Sequence, residues 1–232
     1  MEDFFSRSEA LLGAETMSRL AQKRIILFGV GGVGSWCAES LVRTGLTHLT
    51  IVDDDTVQPS NINRQLPATR ETLGRLKVEV LRERLLSINP DAEITAITER
   101  YTETSNIKYR LSTFDIVIDA IDSVNDKADL LIAATQAGCK VYSSMGAALR
   151  LDPACIRVSA FDRVSGDSLA RALRQRFKKI GQWPVHAIRC VWSGEQPVHR
   201  SDIGSLPKGS LMPVTATFGC TLASLVIKDC MS

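Results

Sequence analysis

The sequence predicts an α/β fold, a Rossmann-like doubly wound sheet that is mostly parallel, with antiparallel C-terminal strands. Two patterns carry this reading. Over the first 145 residues, short β-rich apolar runs alternate with helical patterns, and such alternation folds as a parallel sheet with helices on both faces. The first of these runs ends in Gly29-Val30-Gly31-Gly32-Val33-Gly34, a G-x-G-x-x-G turn between a strand and a helix. The size agrees. A chain of 232 residues, 44% hydrophobic and 23% charged, can fill a sizeable core. We expect one domain over 1–232, with a nucleotide-binding core at 1–145 and a distinct C-terminal part at 146–232.

The elements follow in order. Arg24-Ile25-Ile26-Leu27-Phe28 is a short strand, and 35–44 is a helix stopped by Gly45. Leu49-Thr50-Ile51-Val52 is the second strand. The charged stretch 74–89, closed by Pro90, is a long helix, since proline cannot continue one. Residues 92–98 alternate as a strand, 115–121 form a buried strand, and 124–137 a helix capped by Gly138. Residues 140–144 are the next strand. Beyond Gly146 the rhythm changes. Strands are expected at 156–161 and 187–192, and Leu169, Leu173, Phe177 and Ile180 between them make an apolar helical stripe. Residues 213–228 are an apolar helix or buried segment, and the Gly- and Pro-containing loop 193–212 is expected to be mobile.

Composition narrows the function. At 6% aromatic, the chain is a poor candidate for a base-stacking single-strand binder. The longest apolar candidate, 214–227, contains three Thr and one Ser and is too short to span a bilayer. The acidic opening Met1-Glu2-Asp3 does not resemble a signal peptide, so a cytoplasmic protein without stable membrane insertion is expected. The six cysteines form no C-x-x-C pair, which argues for reduced thiols and against structural zinc. Charge is split. Residues 1–139 hold 15 Lys+Arg and 20 Asp+Glu, net −5; residues 140–232 hold 13 and 6, net +7. The C-terminal part therefore suits an anionic partner, or is simply a solvated basic face.

The glycine loop predicts a nucleotide site. Its glycines, Gly29, Gly31, Gly32 and Gly34, permit a tight turn and close approach of phosphates to a helix N-terminus. Asp53 ends the second strand about twenty residues on, where an acid accepts from ribose hydroxyls. An NAD-dependent oxidoreductase is the first reading, and the following residues argue against it. Asn61-Ile62-Asn63-Arg64-Gln65, Lys77 and the strand-end pair Asp119 and Asp122 would converge at the strand C-termini. That is more charge than a pyrophosphate bridge requires, but it suits a triphosphate with its metal. No G-x-x-x-x-G-K-[ST] loop is present. Asp119 is expected to orient its loop, Asp54 and Asp55 to be solvated or turn-forming, and Cys190 to be a buried strand cysteine. His48, His186 and His199 lack partners at a recognisable spacing.

Four spaced motifs, G-V-G-G-V-G-S, V-D-D-D-T-V-Q-P-S-N-I-N-R-Q, G-R-L-K and I-D-A-I-D-S, resemble the adenylation domain of the ubiquitin-activating enzyme superfamily. That superfamily includes the molybdopterin- and thiamine-biosynthesis adenylyltransferases. The resemblance covers about residues 7–150. It implies that Asp53 binds ribose, that Asn61, Arg64, Gln65 and Lys77 hold the nucleotide with the glycine loop, and that Asp122 binds Mg2+. Arg7, in F-S-R-S-E-A-L-L-G, resembles an arginine that reaches the partner subunit's ATP, which implies a homodimer. The segments G-G-V-G-S-W, A-E-S-L-V-R-T-G, I-D-A-I-D-S-V and P-V-T-A-T-F-G extend the likeness to the tRNA threonylcarbamoyladenosine dehydratase branch over most of the chain.

That branch implies an ATP-dependent cyclisation, with net loss of water, of N6-threonylcarbamoyladenosine in tRNA through an acyl-adenylate. Arg64, Lys77, Asp122 and Arg7 would be the catalytic set. The alternative is an adenylyltransferase acting on the C-terminal carboxylate of a small sulfur-carrier protein. A sulfur-donor partner would then follow, although the C-x-x-C pairs usual in those enzymes are absent. For the tRNA, the basic segment 163–179 offers Arg171, Arg174 and Lys178 on one helical face at i, i+3 and i+7, a stripe that could lie along a phosphate backbone. A solvated helix is the plainer reading.

Overall fold

Seven strands form one sheet in the computed structural model, which describes residues 4–198 and 209–231. In chain order the elements are α1 (Ser6–Leu12), α2 (Ala14–Gln22), β1 (Arg24–Phe28), α3 (Gly34–Arg43), β2 (His48–Val52), α4 (Lys77–Ile88), β3 (Glu93–Ile97), α5 (Asn106–Tyr109), β4 (Ile116–Asp119), α6 (Val124–Gln136), β5 (Lys140–Ser144), β6 (Ile156–Ala160), α7 (Ser168–Ile180), β7 (Arg189–Ser193) and α8 (Met212–Cys230). The strand order is β3-β2-β1-β4-β5-β7-β6. Every pairing is parallel except β6 with β7. The chain doubles back only at this last edge, so β6 alone runs against the rest.

Strand β1 shows why the sheet is covered on both faces. Ile25 and Leu27 enter one core with residues of α3, α4 and α8. Ile26 and Phe28 enter the other with residues of α6 and α7. Successive strand side chains point to opposite faces, so a run with no polar residue inside it must be buried twice. Each such side chain contributes roughly 1.5–3 kcal/mol. The apolar stripe expected between the C-terminal strands is α7. Its Asp167 side chain caps the helix by accepting from the Ala170 amide, and its Leu173 and Phe177 are fully buried.

Helix α8 closes the first face. A Cβ at Gly219 would lie 2.4 Å from the Val33 carbonyl oxygen and 2.9 Å from the Cys37 nitrogen, so α8 lies directly on the start of α3 and holds Thr215 beside the glycine loop. Among the described residues, no helix is long and apolar enough to cross a membrane. The two N-terminal helices were not anticipated. They carry few buried residues, only Thr16 and Leu20, so the apolar period that reveals a helix is weak there. The loop expected at 193–212 falls partly outside the described residues, as does His199.

Candidate active site

Parallel strands place their C-terminal ends on one side of the sheet, and there a cleft of about 820 Å³ opens. Its floor is the glycine loop. Gly29 has φ 86°, and a Cβ there would lie 2.7 Å from the Ala120 carbonyl oxygen. A Cβ on Gly34 would lie 1.8 Å from the Gly29 carbonyl oxygen. These two glycines are required by the turn itself. Gly31 is different. A methyl there would meet only the Gln65 side chain at 3.6 Å, an ordinary contact, and its backbone is not left-handed. The protein does not need that glycine for packing, so the space above it serves the cleft. The Gly31, Gly32 and Val33 amides find no acceptor among the described residues and precede the N-terminus of α3, an arrangement suited to phosphate oxygens.

Asp53 leaves the end of β2 and ties this loop down. Its Oδ2 accepts from the Val30 amide at 2.8 Å and its Oδ1 from the Asp55 amide at 2.9 Å. Burial nevertheless raises its pKa above the usual carboxylate range, outweighing these bonds and the nearby Lys77. Lys77, the first residue of α4, is only 4% exposed. Its Nζ donates to Asp55 Oδ2 at 2.7 Å. Asp54 and Asp55 are both exposed, as expected, and Asp55 is in addition the charge partner of Lys77. Asp53, Asp54 and Asp55 bring carboxylate oxygens within 4.8 Å of one another, but two of the three are already engaged in this way.

Arg64, Gln65 and Asp122 also line the cleft. Arg64 Nη1 donates to the Ser60 carbonyl and to Asn63 Oδ1. Gln65 is buried, and its Oε1 has no hydrogen-bond partner among the described residues. Asn61 sits behind them. Its side chain accepts from the Gln58 amide at 3.0 Å and its carbonyl from the Arg64 and Gln65 amides. Asn61 therefore shapes the loop that presents Arg64 and is not on the cleft wall, nor is Gly34.

Asp122 is exposed on the loop after β4. That loop is anchored by a pair buried from all solvent, Asp119 with Lys127 at 2.6 Å. Asp119 also accepts from Ser143 Oγ and the Ile121 amide, and Lys127 donates to the Ile121 carbonyl. Asp119 thus orients the loop, and the more exposed Asp122 can reach a ligand.

Two residues lie away from this cleft. Arg7 is exposed on α1 and does not line it. Its neighbour Phe5 lies by Gly45, past the C-terminus of α3, whereas the cleft is at the helix's N-terminus, about 15 Å away at 1.5 Å per residue. Arg174 is turned inward. Its Nη2 donates to the Phe161 and Val164 carbonyls at 2.7 Å each, and its guanidinium lies 5.0 Å over the Phe161 ring. It fastens the 161–164 turn to α7. Arg171 and Lys178 are exposed on the outer face of that helix. Cys190 is buried in β7, and burial pushes its thiol up to about 12.

The model of the ThiF family matches residues 5–230. The chain belongs to the ThiF family. Its relatives include the tRNA threonylcarbamoyladenosine dehydratase of Bacillus subtilis, 32% identical over 96% of this chain and 91% of that protein. The enzyme of the same name from Escherichia coli is 33% identical over 98% and 93%. The E. coli enzyme has been solved in complex with ATP and with AMP, at TM-scores of 0.90 and 0.91, with 34% identity over 98% of this chain and 93% of that one.

Several cleft residues escaped sequence reading. Arg100 pairs with Asp126 at 2.6 Å across the nucleotide side. Thr215 lines it beside Gly32, and Arg150 lines the other side with Asp167. Asp167 had a legible signal, an acid before an apolar helical stripe. Arg150, six residues past its strand in a segment without a motif, had none.

Proposed function

We propose that this chain is an ATP-dependent tRNA threonylcarbamoyladenosine dehydratase. It closes N6-threonylcarbamoyladenosine to a cyclic form with net loss of water. The observation that carries the reading is the single cleft that joins a phosphate-ready glycine loop to a second, acceptor-side wall at 144–150 and 167–169. The near full-length likeness to dehydratases supports it. The sulfur-carrier alternative has less support, since the chain lacks C-x-x-C pairs.

A carboxylate is a poor electrophile because oxide would have to leave. Its oxygen attacks the α-phosphorus of ATP, and pyrophosphate departs. The neighbouring nitrogen of the same modification then attacks the activated carbonyl carbon and loses its proton, and AMP departs with the former carboxylate oxygen. No protein nucleophile is required. The chain's task is alignment and charge neutralisation. The glycine-loop amides and Arg64 face the phosphates, Lys77 adds charge beneath them, and Asp53 accepts from the ribose while fixing the loop.

The cleft lining also argues for a divalent cation. It contains seven carboxylates (Asp53, Asp54, Asp55, Glu99, Asp122, Asp126 and Asp167) against four cations (Arg64, Lys77, Arg100 and Arg150). A triphosphate carries about four negative charges and would be repelled without further positive charge. Asp122, exposed at the cleft with only the charge of Arg100 acting on it, fits as the carboxylate that holds Mg2+. When bound, the ion would neutralise phosphate charge. Arg7, too far to serve its own cleft, supports a homodimer in which each protomer lends it to the other. A tRNA substrate agrees with a cytoplasmic, ligase-like adenylating enzyme.

The test is to incubate the protein with ATP and N6-threonylcarbamoyladenosine-containing tRNA. AMP should appear in step with the dehydrated nucleoside. AMP formation only with a carrier protein ending in Gly-Gly would favour the alternative.

A further inference from the structure

The acceptor half of the cleft holds a charge that the nucleotide machinery does not use. Arg150 lines it at 3% exposure. Its Nη1 donates to the Glu195 backbone carbonyl, its Nε has no partner, and no carboxylate lies within 4.0 Å of it among the described residues. The two acids nearby are occupied otherwise. Glu195 accepts from the Leu151 and Asp152 amides, and Asp167 accepts from the Ala170 and Gly146 amides. By contrast, Lys77 and Arg100 on the nucleotide side already have carboxylate partners.

The backbone beside Arg150 is strained. Leu149 has φ 61°, a left-handed conformation that costs a residue with a Cβ about 1–2 kcal/mol. The turn is fixed from both sides, because the Leu149 amide donates to the Gly209 carbonyl and its carbonyl accepts from the Val198 amide. A guanidinium that is buried, with no carboxylate partner and an unbonded Nε among the described residues, is unfavourable. It becomes favourable once an anion enters, and the planar fork of arginine suits a carboxylate.

We propose that Arg150 is the residue that selects the substrate, by binding the carboxylate of the threonylcarbamoyl group and delivering it to the α-phosphate. This rests on the dehydratase reading. Among the described residues Arg150 is the cation of the acceptor wall, and it would offset Asp167 as the substrate anion approaches ATP. The selected feature is the one that distinguishes the modified adenosine from ordinary adenosine.

The test compares Arg150→Gln and Arg150→Lys with the parent. Each is assayed for ATP affinity, for binding of modified and unmodified tRNA, and for steady-state turnover. Arg150→Gln should raise KM for modified tRNA about 10- to 100-fold, the range of a lost charge-assisted bond. Affinity for ATP and for unmodified tRNA should not change, and Arg150→Lys should recover much of the loss. Equal weakening for both RNAs would overturn the proposal in favour of a backbone-phosphate contact. Loss of ATP binding, or a lowered melting temperature that lysine does not rescue, would overturn it in favour of a structural role. A parent protein inactive on modified tRNA would sink the dehydratase reading itself. An active parent with an unaffected Arg150→Gln would sink only the assignment of Arg150.

Discussion

Gly31→Ala and Gly34→Ala make a matched pair that separates a ligand site from a structural turn. At Gly31 the new methyl meets only the Gln65 side chain at 3.6 Å, with no left-handed backbone to strain. Stability should change by less than about 0.5 kcal/mol, as at other tolerant positions, or about 1–2 °C in melting temperature for a chain of this size. The methyl would, however, occupy the space that phosphate oxygens approach. Losing one or two amide–phosphate bonds, at about 1.5–3 kcal/mol each, weakens ATP binding at least tenfold. At Gly34 the methyl falls 1.8 Å from a backbone oxygen, so the turn must move. Overpacking of this kind costs about 1–3 kcal/mol or more, and melting should fall by several degrees. Thermal melting and calorimetric titration with ATP read both effects. If Gly31→Ala binds ATP as well as the parent, the phosphates do not lie on the glycine loop.

Further outcomes follow from the same geometry. Lys127→Met strands Asp119 without its buried partner and should cost about 3–5 kcal/mol, read by denaturant unfolding. Asp122→Asn should leave melting unchanged and abolish AMP formation; near-normal AMP release would misplace the metal ligand. Asp53 has a folded pKa raised above its unfolded value, so its contribution to stability is full below the ordinary carboxylate range and is lost as pH rises through the folded value; in Asp53→Asn that slope should vanish from the pH–stability profile. The paired substitution Arg171→Gln and Lys178→Gln should flatten the salt dependence of tRNA binding by about 0.7–0.9 per lost phosphate contact. Arg174→Ala should instead destabilise the fold, since its guanidinium bonds two backbone carbonyls.

The strands were legible because their signals are local, whereas their order came only with the structure. An unbroken apolar run marks β1, and the glycine run after it marks the first crossover to α3. The ends of α3 and α4 shifted by one to three residues, because helix termini are set by caps that tertiary packing chooses. The places of Asp53, Arg64, Lys77 and Asp122 on the cleft were legible for the same reason, since each sits at a strand end or in a short motif, whereas that of Arg100 was not. Roles within it were harder to read. Whether Asn61 faces the cleft or shapes its loop depends on the bonds to Gln58 and Gln65. Whether Arg174 points outward depends on the 161–164 turn lying under it, contacts that a helical wheel does not contain. Arg150 was invisible because its meaning comes from having no carboxylate partner among the described residues, which no sequence pattern displays.

The central claim is that the substrate's own carboxylate is activated by adenylation. Modified tRNA carrying 18O in the threonylcarbamoyl carboxylate tests it most directly, with AMP recovered after one turnover and examined by mass spectrometry. The account predicts one 18O atom in the phosphate of AMP, because the attacking oxygen leaves with it, and unlabelled pyrophosphate. Unlabelled AMP, or formation of ADP with label in inorganic phosphate, would contradict it.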